Sequence, residues 1–371
     1  MRYYLVAGEA SGDLHGSNLV RGLRAGDPEA EFRFWGGDLM REAAGGAEPV
    51  VHYRETAVMG YTDVLANAGR IARNLRFCKE DIDGWKPDAV ILIDYPGFNM
   101  RIARHCHGKG FKVFYYIAPK TWASRAGRNR QLKAWVDKLF IVFPFEVPYF
   151  TKKGIPFIYK GNPLVDAVDS HKYERPCEGR YLAVLPGSRK GEISRTMPIC
   201  MEVADRLGMQ VLVAGAPSAG AEDYAPYIAG RSNVKVLFGR TYDILKYADA
   251  AVVNSGTASL EAALTGTPQV VCWSASPLTY FMAEYILGVR RRIKYISLGN
   301  LCLGRQSFRE LVQADFNADA VCKELERLTG DEAYRSRMLA DYAQIRESLG
   351  GSGASLAVAQ AMIEELKKHT I

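Results

Sequence analysis

Ala250-Ala251-Val252-Val253-Asn254-Ser255-Gly256-Thr257-Ala258-Ser259-Leu260-Glu261 is the stretch that decides the fold. The run Ala250 to Val253 is apolar and short, as a buried strand is. Small hydroxyl residues and a glycine end it, and a helical pattern, Ala258 to Leu264, begins at once. Strand, tight turn and helix N-terminus in that order make up the unit of a parallel α/β sheet. The same order turns free backbone N–H groups and the positive end of a helix dipole toward an anion. Glu261 falls about one turn into the helix, where a carboxylate can accept hydrogens from sugar hydroxyls. Phosphate and ribose together point to a nucleotide. A second reading gives these residues to folding alone: Thr257 or Ser255 caps the helix and Glu261 completes the cap.

The pattern recurs along the chain. Strands are predicted at 2–7, 31–35, 89–94, 112–117 and 137–143, then at 181–185, 209–215, 234–238, 250–254 and 269–274. Helical patterns separate them, in the first half at 13–25, 61–83, 98–107, 121–135 and 145–153. Alternating strands and helices imply parallel sheets covered on both faces; two such series imply two facing, doubly wound, Rossmann-like α/β domains. The least regular stretch, Asp166 to Gly179, marks the boundary, giving domains 1–165 and 166–349. After Gln313 only helices are expected, at 318–328, 331–348 and 354–368. Gly350-Gly351-Ser352-Gly353 is a flexible joint, so the segment 350–371 is expected to pack back on the first domain or on a partner subunit. Facing domains leave a cleft, and open α/β sheets bind ligands beyond the carboxyl ends of their strands.

Composition narrows the classes. The 371 residues are 48% hydrophobic and 24% charged, enough for two cores, with no disordered or repetitive tract. Seven scattered cysteines without a C-x-x-C read as reduced thiols of a cytosolic protein. The chain opens on a strand with no secretory h-region. Its longest apolar runs, Ala89–Ile93 and Leu139–Pro144, are too short to cross a bilayer, so membrane contact would be peripheral. The net charge of +7 is uneven: nine Lys/Arg and no Asp or Glu lie between Arg101 and Lys133, and Arg290 to Lys294 form a second cluster. Such surfaces fit phosphates of a small ligand, nucleic acid or acidic lipid, unless they are simply solvated helix faces.

Four loops after strands carry candidate chemistry. Gly8-Glu9-Ala10-Ser11-Gly12-Asp13 is neither a dinucleotide fingerprint nor a Walker A motif, and Glu9 suits substrate hydroxyls. In Ile93-Asp94-Tyr95-Pro96-Gly97-Phe98-Asn99 an acid ends an apolar strand, where partial desolvation raises a carboxyl toward general-base values; the plain alternative is a turn cap. Leu185-Pro186-Gly187-Ser188-Arg189 lets backbone N–H groups approach a phosphate that Arg189 grips as a fork, making a two-loop diphosphate cradle with 254–261. The stretch Ser297 to Gln313 adds the Asn300 and Gln313 amides, suited to a base edge or sugar hydroxyls. Asp81-Ile82-Asp83 ends an amphipathic helix and is expected to face solvent, and His105 and His107 do not share a helix face, so no metal site is expected. Val58-Met59-Gly60-Tyr61 leads into an apolar stripe beside Arg70, Arg73, Arg76 and Lys79, read either as a membrane-surface pattern or as a core helix with a wet basic face.

Taken in order, these loops, with Ala57-Val58-Met59-Gly60, Pro144-Phe145-Glu146 and Glu310-Leu311-Val312-Gln313, resemble the bacterial lipid-A-disaccharide synthase family over nearly the whole chain. The resemblance implies a two-domain GT-B glycosyltransferase, inverting, without cofactor or metal. It would join UDP-2,3-diacylglucosamine to 2,3-diacylglucosamine 1-phosphate (lipid X), giving a β-1,6 disaccharide and UDP. It further implies a cytoplasmic enzyme held peripherally on the inner membrane by acidic phospholipid, with no nucleic acid partner. Gly350–Gly353 permits exchange of the final helix in a homodimer. By matching position, Asp94 is the expected base on the acceptor 6-hydroxyl, supported by Glu9 and Asn99. Ser188, Arg189, Ser255, Gly256, Thr257, Ser259, Glu261, Asn300, Glu310 and Gln313 are the expected UDP residues. Ser11, Met59, Tyr61, Arg125 and Arg128 are expected on the acceptor and membrane surface. The chain has Gly161-Asn162-Pro163, Trp122-Ala123-Ser124 and Leu298-Gly299-Asn300 where the family often has Gly-His-Pro, Trp-Ala-Trp and Leu-Pro-Asn. Two rivals remain at this point: another GT-B enzyme on UDP-N-acetylglucosamine, transferase or 2-epimerase, and a nucleotide- or lipid-binding protein without catalysis.

Overall fold

The computed structural model describes all residues except 57–67, 125, 277–279, 281–292 and 369–371. Met59, Tyr61, Arg125, Arg290 to Arg292 and the Ala57–Gly60 motif therefore lie outside the described residues. The chain forms two compact units, Met1–Asp166 with Gly350–Ile371, and Ala167–Leu349.

The first unit is built on seven parallel strands: β1 (Arg2–Ala7), β2 (Glu31–Gly36), β3 (Val51–His52), β4 (Ala89–Ile93), β5 (Lys112–Tyr116), β6 (Lys138–Ile141) and β7 (Phe157–Tyr159). Their order is β3-β2-β1-β4-β5-β6-β7. The central strands read as unbroken apolar runs because both faces of a doubly wound sheet are covered. Every residue of β4 is buried, and each such Val, Leu or Ile contributes about 1.5–3 kcal/mol. The helix Ala10–Gly26 follows β1, and Pro96–Gly108 follows β4.

Two expectations are corrected in this unit. The helix expected over 121–135 forms only at Arg128–Trp135; residues 121–123 make a turn, and Trp122 Nε1 donates to Glu146 at 3.1 Å. Asp81 does not face solvent. It accepts from the Tyr4 hydroxyl at 2.7 Å and from Arg33 in a two-point fork.

The final helix, Ala354–Lys367, packs on Ala10–Gly26. A Cβ at Gly22 would lie 2.9 Å from Ala359 Cβ, so a larger residue would push the helices apart. Asp166 accepts from the Gly353 and Ser355 N–H groups at 2.6 and 2.8 Å, satisfying orphan donors at that helix's start.

The second unit holds six parallel strands: β8 (Tyr181–Leu185), β9 (Gln210–Gly215), β10 (Val234–Phe238), β11 (Ala250–Asn254), β12 (Gln269–Trp273) and β13 (Glu310–Val312). Their order is β10-β9-β8-β11-β12-β13, and Lys190–Leu207 and Ala258–Thr265 are the helices after β8 and β11. The strands not anticipated, β3, β7 and β13, have two or three residues, too few to carry a period. Each sheet reverses its winding once, between β1 and β4 and between β8 and β11. Such switch points open the crevices where doubly wound sheets bind ligands. No helix among the described residues is long and apolar enough to cross a membrane.

Candidate functional site

At the first switch point Asp94 and Tyr95 both take left-handed backbone, with φ of 44° and 47°. Neither is glycine, and such residues cost about 1–3 kcal/mol each unless their surroundings impose the shape. Here the surroundings do. Asp94 N donates to Tyr116 O at 3.0 Å; Asp94 O accepts from the Tyr115 hydroxyl at 2.6 Å and from Asn99 Nδ2 at 2.9 Å. Asn99 is fully buried and also donates to Val6 O and Ile93 O, each at 3.2 Å, tying the ends of β1 and β4 together. Its Nδ2 thus holds the Asp94 carbonyl from the buried side of the turn.

Tyr95 stacks on Phe98 and lies so close to Gly8 that a Cβ there would sit 2.4 Å from its ring. Gly8, Glu9, Ser11, Gly12, Asp94 and Tyr95 thus enclose a small cleft, which brings Asp94, Glu9 and Ser11 together. Burial pushes the Tyr115 hydroxyl well up, and the Asp94 charge adds to it, so Tyr115 remains a donor. Tyr95 is raised by burial and then by the Glu9 charge. Asp13, in the same loop, is structural: its carboxylate accepts from the N–H groups of Gly37, Leu39 and Met40. Arg128 lies outside this cleft, in a neighbouring hollow with Arg101 and Arg104.

At the second switch point Asn254 Nδ2 donates to Pro186 O at 3.2 Å and couples the two loops. Gly187 has φ of 112°, and a Cβ there would meet Glu192 at 2.6 Å. Glu192 accepts from Ser188 N at 2.9 Å, Arg189 N at 3.3 Å and the Arg189 guanidinium at 3.3 Å, a capping box at the start of Lys190–Leu207. Arg189 is exposed. Gly256, with φ of 147°, has open space where a Cβ would stand.

No side chain caps the helix Ala258–Thr265, although Thr257 occupies the cap position. The reading of Thr257, Ser255 and Glu261 as a side-chain cap therefore fails; the N–H groups of Ser259, Leu260 and Glu261 instead donate to the Gly256 and Thr257 carbonyls. Ser259 is corrected as a ligand contact: it is buried and its hydroxyl donates to Gly256 O at 2.8 Å. Burial pushes the Glu261 carboxyl up to about 7, and a hydrogen bond from Tyr242 works against that. Tyr242 stands edge-on to His171 and carried no signal in the sequence.

The remaining expected UDP residues form an internal knot. Asn300 is fully buried and its amide is saturated: Oδ1 accepts from Ser307 N and Phe308 N, and Nδ2 donates to Phe308 O and Glu310. Glu310 also accepts from Ile296 N and from both Ser297 donors. Gln313 exchanges two hydrogen bonds with the Ala275 backbone. These side chains shape the loops after β12 and β13 and do not offer a base-reading edge.

The two sheets match solved sugar-nucleotide enzymes throughout. A UDP-N-acetylglucosamine 2-epimerase from Neisseria meningitidis aligns over 98% of this chain and 100% of its own with a TM-score of 0.70 at 12% identity. The calicheamicin glycosyltransferase aligns over 99% and 98% with a TM-score of 0.57 at 18% identity. The fold is thus that of the GT-B glycosyltransferases and related epimerases. Within that class, the lipid-A-disaccharide synthetase model matches residues 3–362, and the chain belongs to that family. Lipid-A-disaccharide synthases of Geobacter sulfurreducens and Myxococcus xanthus are 39% and 38% identical to it, covering 99% and 98% of this chain and 98% and 97% of theirs.

Proposed function

We propose that the chain catalyses its family's reaction, transfer of 2,3-diacylglucosamine from UDP to the 6-hydroxyl of 2,3-diacylglucosamine 1-phosphate. The observation that carries the assignment of the base is the Asp94 turn: a carboxylate on strained backbone, held at a switch point by three backbone contacts beside Glu9. Asp94 accepts the proton of the 6-hydroxyl as that oxygen attacks the sugar's anomeric carbon. The bond from that carbon to the β-phosphate oxygen breaks, and its electron pair leaves with UDP. Inversion requires only one base, on the acceptor side. Charge on the departing diphosphate is met by Arg189 and by the N-terminus of Ala258–Thr265. Glu261 holds the ribose hydroxyls, Ser188, Ser255, Gly256 and Thr257 supply the cradle, and Asn300, Glu310 and Gln313 support it from within. Glu9 and Ser11 orient the acceptor, and the basic face of the first unit draws the enzyme to acidic lipid.

UDP release measured with acylated and unacylated UDP-glucosamine donors, each with lipid X, tests this reading. Release with the acylated donor is expected. Turnover of the unacylated sugar alone would replace it with an N-acetylglucosamine enzyme, and binding without release would leave a non-catalytic protein.

A further inference from the structure

We propose that Glu146 is a positioning residue for the acceptor side of the reaction, fixing the loop after β5 against the Asp94 turn through the Trp122 indole; the role rests on Asp94 being the base. The Pro144-Phe145-Glu146 motif stands out in the sequence, and the chemistry above leaves it without a task. Glu146 is only 1% exposed, although it is a carboxylate. It accepts from Val142 N at 3.2 Å, Phe143 N at 3.1 Å and Trp122 Nε1 at 3.1 Å. Two of these donors belong to its own loop, after β6. The third crosses to the loop after the neighbouring strand, β5. A carboxylate that only closed its own turn would not reach across strands.

The loop it grips begins at the proposed base. Tyr116 O accepts from Asp94 N at 3.0 Å, and the Tyr115 hydroxyl donates to Asp94 O at 2.6 Å. The next residue, Ile117, has φ of 63°, a shape that a β-branched side chain takes only under constraint. Ile117 N donates to Phe140 O at 3.1 Å, and the Tyr149 hydroxyl donates to Thr121 O at 2.9 Å. Trp122 closes the far end. Its ring stands edge-on to Phe145, with centroids 4.9 Å apart, and Phe145 stacks on Phe143. Strained backbone persists where neighbouring contacts over-determine it, and the Glu146 bond is such a contact at the far end of this loop.

The grip depends on protonation. Burial pushes the Glu146 carboxyl up to about 7, against its three hydrogen bonds and the Lys120 charge. Lys120 comes from the loop after β5; Asn162, from the loop after β7, is neutral and holds Val142 O at 3.0 Å. The ionised carboxylate accepts from all three donors, whereas protonation sets an O–H among them. The clamp therefore tightens as pH rises through about 7.

The test is a double-mutant cycle on Glu146→Gln and Trp122→Phe. Each single variant should lower kcat with lipid X by about tenfold, the pair should lose no more than the larger single loss, and UDP affinity should stay within about twofold of wild type. Unchanged kcat, additive losses, or equal losses of kcat and UDP affinity would overturn the proposal. Trp122 emission, taken as the difference between proteins with and without Trp122→Phe, should show a step near pH 7 that Glu146→Gln abolishes. If wild type releases no UDP with the lipid pair, the reaction assigned above falls, and the emission alone decides the clamp. A step lost in Glu146→Gln supports it; pH-independent Trp122 emission in wild type overturns it.

Discussion

The loops after β1 and β4 and the loops after β8 and β11 occupy the same place in two sheets of like strand order, yet they are built from opposite materials. At β1/β4 two non-glycine residues are forced into left-handed backbone, and the resulting strain is held by Asn99, Tyr115 and the backbone of Tyr116. At β8/β11 glycines take the positive φ values, a helix start carries no side-chain cap, and an arginine stays exposed. On the function proposed above, the first arrangement holds the carboxylate that would take a proton, and the second holds the groups that would meet the departing diphosphate. Strand order sets the position of a site, and a few loop residues set its sign.

The largest expected effect belongs to the first region. Asp94→Asn keeps the turn's shape but removes the base, and turnover should fall by about 10²–10⁴-fold. Turnover near wild type would remove Asp94 from the chemistry. Asn99→Ala leaves buried carbonyls of both strand ends without their donor. It should cost about 1–3 kcal/mol in chemical denaturation and lower turnover while sparing UDP affinity. An Asn99→Ala protein of unaltered stability would mean the strand ends hold themselves.

In the second region Arg189→Ala should weaken UDP binding by about 1–3 kcal/mol, the loss of a charge-assisted contact. Unaltered affinity in calorimetry would place the diphosphate elsewhere. The smallest effect concerns pH. Glu261, raised from 4.5 to about 7, is partly protonated at neutrality, and its ionised form is the better acceptor for ribose hydroxyls. UDP affinity should therefore rise between about pH 6 and 8, by less than about tenfold, and Glu261→Gln should flatten the rise. The stability linkage has the opposite sign. The folded protein retains a proton that the unfolded chain releases, so this group's contribution declines as pH climbs from 4.5 to about 7. A pH-independent UDP affinity in wild type would detach Glu261 from the ribose.

Most of this contrast is legible in the residues, and the exceptions share a cause. Apolar runs as clear as Ala89–Ile93 and Ala250–Val253 announce buried parallel strands; Asp94 is visible because it directly follows such a run, and Arg189 because it closes the Pro186-Gly187-Ser188 turn after another, Tyr181–Leu185. Whether a polar side chain faces inward is a tertiary fact. Asn99 was expected to support the base and Ser259 and Asn300 to meet UDP, but folding turns all three side chains toward backbone carbonyls. Tyr242 was illegible for the same reason, since its bond to Glu261 joins residues 19 positions apart on different helices. Asp13 sits in a glycine-rich loop that looks like a ligand cradle, yet its partners are three N–H groups around the start of the next helix.

UDP titrated calorimetrically into the Asp94→Asn protein separates the two regions most directly. The account predicts a dissociation constant within about twofold of wild type, because the nucleotide is held by the β8/β11 loops alone. A weakening of about tenfold or more would contradict it, placing the Asp94 turn in the nucleotide site and ending the division between base and cradle.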